Sequence, residues 1–87
     1  MRVINFMKKN KFKVGSSVYL VYNINGEYFV YEDVLEVNRV SNDKQGYHYS
    51  LKNSCDDYID WCYEDMVFWT HQSAKDAVRK LNSNIGE

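Results

Sequence analysis

The clearest pattern of polar and apolar positions surrounds the dipeptide Asn25-Gly26. Runs of β-branched and aromatic residues lie on both sides of it, in the segment VYLVYNINGEYFVY of residues 18–31. An Asn-Gly pair tolerates the positive φ angles of a type I′ turn, so the segment predicts a β-hairpin. Its first strand, about Ser17 to Ile24, is apolar on both faces, which predicts a central strand that is covered on both sides.

The second strand of this hairpin has a less regular pattern. It is expected to begin at Tyr28 and, with a bend near Glu32 and Asp33, to reach Val40. The apolar residues that follow the bend do not alternate strictly with polar ones. This irregularity predicts a β-bulge, which would let a small sheet curve.

Three shorter strands are predicted after the turn cluster SNDKQG of residues 41–46. Aromatic and apolar residues alternate with polar ones over residues 47–52, as is typical of a half-buried strand. Residues 58–63 are expected to form the next strand and residues 67–69 a short last one. The faces expected for the strand over residues 58–63 are Ile59, Trp61 and Tyr63 on one side, and Tyr58, Asp60 and Cys62 on the other.

A helix is predicted to close the chain, over residues 71–82, because apolar side chains recur there at helical spacing. Thr70 can cap this helix, and Ser73 with Asp76 offers an alternative capping register. Four or five strands in hairpin order followed by one amphipathic helix predict a mainly β (α+β) fold. The expected architecture is a small curled antiparallel sheet or partly open barrel, in one domain that spans residues 1–87.

Charges are sorted along the chain, although the net charge is only −1. Residues 1–26 hold five cations and no acid, with the basic residues concentrated in a leading segment, residues 1–14. Residues 27–65 hold ten acids against three cations. This asymmetry predicts a basic beginning and an acidic middle.

The leading segment does not have the pattern of a secretory signal, because its short apolar patch is not followed by a small-residue cleavage site. No apolar run approaches the roughly 20 residues that a bilayer requires. Asn, Lys and Tyr are frequent and Pro is absent, a bias associated with AT-rich bacterial or phage genomes. The chain is therefore expected in the cytoplasm of a bacterial cell, with Cys55 and Cys62 as reduced thiols.

Catalysis and metal binding are not predicted. Cys55, Cys62, His48 and His71 formally make a two-Cys, two-His set, but the cysteines are seven residues apart and the histidines are single and scattered. Structural zinc sites usually pair cysteines two to four residues apart. Neither a nucleophile motif nor a phosphate-binding glycine loop is present. We therefore expect no enzyme activity, no cofactor and no metal ion.

Two segments resemble the small SH3-like β-barrel proteins of bacteria and their phages: KFKVGSSVYLVYN, residues 11–23, and CYEDMVFWTHQSAKDAVRKL, residues 62–81. Those proteins typically read lysine, apolar, Gly-Asp, any residue, apolar, Tyr near the start, and Glu-Asp, any residue, Val-Phe, any residue, Thr near the end. Here Ser16 follows the glycine where the family often has Asp. The resemblance implies an SH3-like antiparallel barrel of four to five strands with one C-terminal helix.

The first functional hypothesis concerns the acidic segment of residues 55–65, in which carboxylates are interleaved with tyrosines. Such a face could steer and anchor a protein partner that has a basic surface. Because phage proteins of this size commonly inhibit host machinery, the resemblance implies a host inhibitor, such as an anti-CRISPR protein or a nucleic-acid mimic. A solvated outer face is the alternative interpretation. The residues predicted to bind the partner are Asp56, Asp57, Tyr58, Asp60, Glu64 and Asp65.

The competing hypothesis is nucleic-acid binding through the basic leading segment, with Phe12, Tyr19 and Tyr22 as stacking groups. It is ranked lower because the acidic middle of the chain would repel phosphates. The fourteen aromatic residues exceed what so small an interior can hide, so some are expected to form an exposed patch, which would be either a partner surface or a homodimer contact. The residues predicted to contact nucleic acid are Lys8, Lys9, Lys11 and Lys13.

Overall fold

The computed structural model describes residues 10–85, with the side chains of residues 10–83. The described chain forms six strands and one helix, in the order β1 Ser17–Ile24, β2 Glu27–Val30, β3 Leu35–Asp43, β4 Gly46–Lys52, β5 Tyr58–Tyr63, β6 Val67–Phe68 and α1 His71–Ile85. A 3₁₀ turn, Glu64–Met66, connects β5 to β6.

Strand β1 is the centre of the sheet, as its two apolar faces predict. It pairs antiparallel with β2, and the turn between them has φ angles of 52° at Asn25 and 92° at Gly26, which confirms the predicted hairpin. The start of β1 pairs with β3, and its middle, Tyr19 and Leu20, pairs with β6.

The predicted second strand is interrupted at its predicted bend and so counts as two strands. β2 ends at Val30 and β3 begins at Leu35, with Glu32 and Asp33 in the bend between them. The two strands pair with successive parts of β1: five steps from Val30 to Leu35 lie opposite three steps from Val21 to Val18, and the two extra residues form the bend. The predicted bulge is present in β3, where the pairing with β4 shifts between Val37 and Arg39.

The sheet is antiparallel, in the order β2-β1-β3-β4-β5, with β6 on β1. It is not closed, because within residues 10–85 β5 pairs with β4 alone. A mainly β, α+β fold with one C-terminal helix is therefore confirmed, with six strands instead of four to five. A gap remains between β5 and β1.

The core lies inside the curve of the sheet. Its buried members are Phe12, Val18, Leu20, Leu35, Val37, Tyr49, Leu51, Cys62 and Val67. Burial of Phe12 fixes the end of the leading segment to the domain. Val21 and Ala74 are buried outside this cluster. Helix α1 contacts β1 and β2, and the ring of His71 lies 5.4 Å from that of Tyr19, so both faces of β1 are covered.

Helix α1 starts at the predicted cap. The Ser73 N–H donates to the Thr70 hydroxyl oxygen across 3.0 Å, which satisfies one of the free amides of the first turn. The helix extends to Ile85, three residues beyond the predicted end. Near that end, the side-chain amide of Asn82 reaches the backbone of Tyr28 in β2.

Candidate aromatic groove beside strand β5

An open groove of about 1120 Å³ follows the gap between β1 and β5. Its apolar lining comes mainly from Leu20 and Tyr22 of β1 and from β5, and the β3–β4 turn closes one end. A smaller cavity of about 380 Å³ shares Leu20, Tyr22 and Ile59 with it. We call this feature the aromatic groove; its aromatic lining residues are Tyr22, Tyr47, Trp61 and Tyr63.

A bulge in β5 turns two of these aromatic side chains outward. Tyr49 of β4 lies opposite Cys62, and Leu51 lies opposite Ile59, so two steps along β4 match three along β5. Both Ile59 and Cys62 therefore pack against the core, and Trp61 is left 42% exposed. The strict alternation predicted for β5 is wrong for this reason.

Two side chains, from β3 and from β4, contact Trp61. The guanidinium carbon of Arg39 lies 5.3 Å from its ring centroid. The ring of His48 meets it edge to face at 5.2 Å and meets the ring of Tyr63 at 5.3 Å. His48 in turn lies 3.8 Å from the Asp43 carboxylate. These contacts reduce the freedom of an exposed aromatic surface before any partner arrives.

Glu64 and Asp65 are the charged residues among those described that line the groove. Glu64 is half-buried: its carboxylate accepts the Tyr49 hydroxyl across 2.5 Å and the Lys11 N–H across 2.8 Å. Burial, and then the hydrogen bond to Glu64, raise the pKa of Tyr49 to about 12. Asp65 is exposed, so it supplies free negative charge at the groove.

The six residues predicted as one acidic face are spread along the whole of β5 and beyond both of its ends. Asp56 and Asp57 lie in the β4–β5 turn, where the Asp56 carboxylate is 3.8 Å from the Lys52 ammonium. The Asp60 carboxylate accepts a hydrogen bond from the buried Ser50 hydroxyl, outside the groove. Tyr58 is 57% exposed and is not part of the groove lining. Of the six predicted residues, Glu64 and Asp65 therefore line the groove together with the exposed rings of Trp61 and Tyr63.

Of the four lysines predicted to contact nucleic acid, Lys8 and Lys9 lie outside the described residues. Lys11 and Lys13 are exposed. Phe12 between them is 0% exposed, with its ring 4.7 Å from that of Trp69, so it cannot stack on a base. The proposed role of Phe12 as a stacking group was wrong, because its large apolar ring is needed in the core.

The two cysteines lie in contrasting places. Cys55 is exposed in the β4–β5 turn, whereas Cys62 is buried, and both thiols are free. Burial, together with the nearby Asp60 carboxylate, raises the pKa of Cys62 to about 11. In the described part of the chain, no three His, Cys, Asp or Glu residues come together in a way that could hold a metal ion.

Comparison with protein-family models, with curated proteins and with solved structures finds no match to this chain. Among residues 10–85, no helix combines the length and the apolar character that a transmembrane span needs.

The contribution of Tyr47 and Trp61 to the groove lining was not predicted, and neither were the contacts of Arg39 and His48 with Trp61. The surplus of aromatic residues was the available signal, and the exposed rings of Trp61 and Tyr63 confirm that some of that surplus is at the surface. Their location depends on the β5 bulge and on the gap in the sheet, and neither has a local sequence pattern.

Proposed function

We propose that this chain is a non-catalytic binding domain that holds a segment of a protein partner in the aromatic groove. One observation carries the proposal: an open groove with exposed Trp61 and Tyr63 has Glu64 and Asp65 as its charged lining. Tryptophan and tyrosine are over-represented among the residues that dominate binding energy at protein interfaces. The two carboxylates would favour a partner segment that carries lysine or arginine.

The chemistry of the groove supports binding in preference to catalysis. Glu64 accepts hydrogen bonds from Tyr49 and from the Lys11 backbone, so it is held in a structural role. The thiol of Cys62 has a pKa raised to about 11, which keeps it protonated and poorly nucleophilic near neutral pH. A binding role needs only the shape, the aromatic surface and the charge.

The SH3-like barrel that the sequence resemblance implies belongs to this proposal. It is supported by the antiparallel strand order, the bulges in β3 and β5 and the C-terminal helix. Inhibition of host machinery stays a prediction from that resemblance. The dispersal of Asp56, Asp57 and Asp60 away from Asp65 does not favour a continuous phosphate-like row, so we propose aromatic anchoring rather than nucleic-acid mimicry.

Affinity capture from a bacterial lysate with mass spectrometry tests the proposal by means of matched pairs of variants. Trp61→Ala and Asp65→Lys alter the groove, whereas Tyr58→Ala and Asp57→Lys alter equally accessible positions outside it. We expect Trp61→Ala to weaken capture about 30-fold, the effect of an interface residue worth about 2 kcal/mol. Tyr58→Ala and Asp57→Lys should leave capture within about twofold of the unaltered chain, since surface changes away from an interface cost little.

The opposite ranking of these variants would overturn the proposal and support the acidic face first predicted. Recovery of nucleic acid alone, lost on Lys11→Glu and Lys13→Glu, would support the basic alternative instead. Circular dichroism and urea unfolding of each variant would separate loss of binding from loss of folding.

A further inference from the structure

The two edge strands of the sheet, β2 and β5, differ in how their outer edges are covered. On β2, the Tyr28 N–H donates to the Asn82 side-chain oxygen across 2.9 Å, and the Asn82 side-chain nitrogen donates to the Tyr28 C=O across 3.1 Å. A residue of a neighbouring strand would make this same pair of bonds. Helix α1 therefore occupies the free edge of β2 at this position.

The outer edge of β5 has no such cover in the described part of the chain. The Asn53 N–H donates to the Asp57 C=O across 3.0 Å at the β4–β5 turn, and Leu51 is paired with Ile59 two residues further on. Hydrogen-bonded pairs alternate along an antiparallel ladder, so the N–H and C=O of Tyr58 point away from β4. The aromatic groove runs beside this same edge.

We infer that the outer edge of β5 accepts one further β-strand, supplied by an extended, lysine- or arginine-bearing segment of a protein partner. This inference rests on the proposed function and specifies its binding mode. In β-strand addition, backbone hydrogen bonds supply affinity and pockets for alternate side chains supply specificity. Here the edge supplies the backbone groups, and the exposed rings of Trp61 and Tyr63 line the groove beside it.

Charge complementarity favours a basic partner segment over a second copy of this chain at the edge of β5. Residues 60–65 contain three carboxylates, Asp60, Glu64 and Asp65, and no lysine or arginine. Two β5 strands side by side would place carboxylates opposite carboxylates, which destabilises a strand pair. A basic strand meets the same edge with opposite charge.

Three synthetic decapeptides with blocked ends test the inference on the full chain. The first alternates lysine and valine. The second has the same sequence with N-methyl groups on its two central residues, which blocks backbone donors on both edges and keeps every side chain. The third has glutamate in place of lysine. Binding is followed by titration in ¹H–¹⁵N NMR spectra, and amide hydrogen exchange is measured along β5.

We expect the lysine peptide to bind, the N-methylated peptide to bind at least tenfold more weakly, and the glutamate peptide not to bind. Exchange at the Tyr58 amide should slow in the complex, and exchange at the Tyr28 amide, already bonded to Asn82, should not change. Equal binding of the first two peptides would overturn strand addition and leave groove binding intact.

Failure of the lysine peptide, alongside a successful capture experiment, would likewise overturn the inference without touching the proposed function. Equal binding of the glutamate peptide would overturn the choice of a basic segment. A concentration-dependent dimer with slowed exchange at Tyr58, detected by sedimentation, would identify a second copy as the occupant.

Discussion

The Tyr49 hydroxyl donates a hydrogen bond to the Glu64 carboxylate across 2.5 Å. The same hydroxyl oxygen accepts the N–H of Phe12 across 3.3 Å, so it connects β4, the 3₁₀ turn and the end of the leading segment. Hydrogen bonds to charged groups contribute about 1.5–3 kcal/mol each. This small network joins three segments that are far apart in the chain.

Removal of that hydroxyl in Tyr49→Phe is expected to lower the free energy of unfolding by about 2 kcal/mol, because a partly buried carboxylate and a buried N–H both lose a partner. Urea unfolding measures the loss. Tyr58→Phe is the matched control, since Tyr58 is exposed, and it should change the free energy by less than about 0.5 kcal/mol. Equal effects of the two variants would contradict the role assigned to Tyr49.

Stability is expected to fall in alkaline solution. Burial and the bond to Glu64 raise the pKa of Tyr49 from 10.0 to about 12. The folded state therefore favours the protonated phenol, and this contribution is complete below pH 10 and is lost as the pH rises through about 12. Urea midpoints across this range should fall less steeply in Tyr49→Phe. Parallel curves for the two proteins would contradict the prediction.

The two cysteines should differ sharply in reactivity. Cys55 is exposed, whereas burial raises the pKa of Cys62 to about 11. At pH 8, a thiol reagent should modify Cys55 of the folded chain about as fast as it modifies a cysteine of the unfolded chain. It should modify Cys62 only as fast as the folded chain opens. Mass spectrometry after timed quenching counts the modified thiols. Rapid modification of both, or persistence of the fast phase in Cys55→Ser, would show that Cys62 is accessible.

Phe12 should behave as a core residue despite its two lysine neighbours. It is 0% exposed, and its ring lies 5.4 Å from that of Tyr49. Phe12→Ala is expected to cost about 3–5 kcal/mol, the range for large aromatic residues removed from a core. Lys13→Ala, at an exposed neighbouring position, should stay within about 0.5 kcal/mol. Denaturant unfolding distinguishes these values, and a small effect of Phe12→Ala would mean that the segment is not anchored.

Asn82→Ala should expose the backbone edge of β2. It removes two hydrogen bonds to Tyr28, each worth about 1 kcal/mol, so a loss of about 1–2 kcal/mol is expected. Lys80→Ala, exposed on the same helix, is the control. Because free strand edges favour association, Asn82→Ala should also self-associate more than the control in sedimentation experiments. Unchanged stability would show that the two bonds contribute nothing.

Local signals in the sequence predicted the elements whose cause is local. The Asn25-Gly26 turn has a specific backbone requirement, and Thr70 caps α1 through a bond to a residue three positions away. The bend at Glu32 and Asp33 was also predicted, but the change of register against β1 that ends one strand there and starts the next depends on non-local pairing.

The groove was predictable only as an excess of aromatic residues. Strict alternation along the acidic segment assigned Asp60 and Glu64 to one face, and the bulge between Ile59 and Cys62 breaks that alternation. Glu64 was assigned to a solvent-exposed face, but its carboxylate accepts a hydrogen bond from Tyr49 and the side chain is half-buried. Non-local contacts of this kind decide which charges a partner can reach, and no short sequence pattern encodes them.

The pairing of β1 with β6 carries a consequence for the order in which the domain can form during synthesis. Tyr19 and Leu20 find their partners in Phe68 and Val67, which leave the ribosome almost fifty residues later. Until then the middle of the central strand has an open side, and the growing chain must keep that apolar stretch from other nascent chains. Charged residues that flank an apolar strand disfavour its aggregation, and Lys11 and Lys13 precede this one.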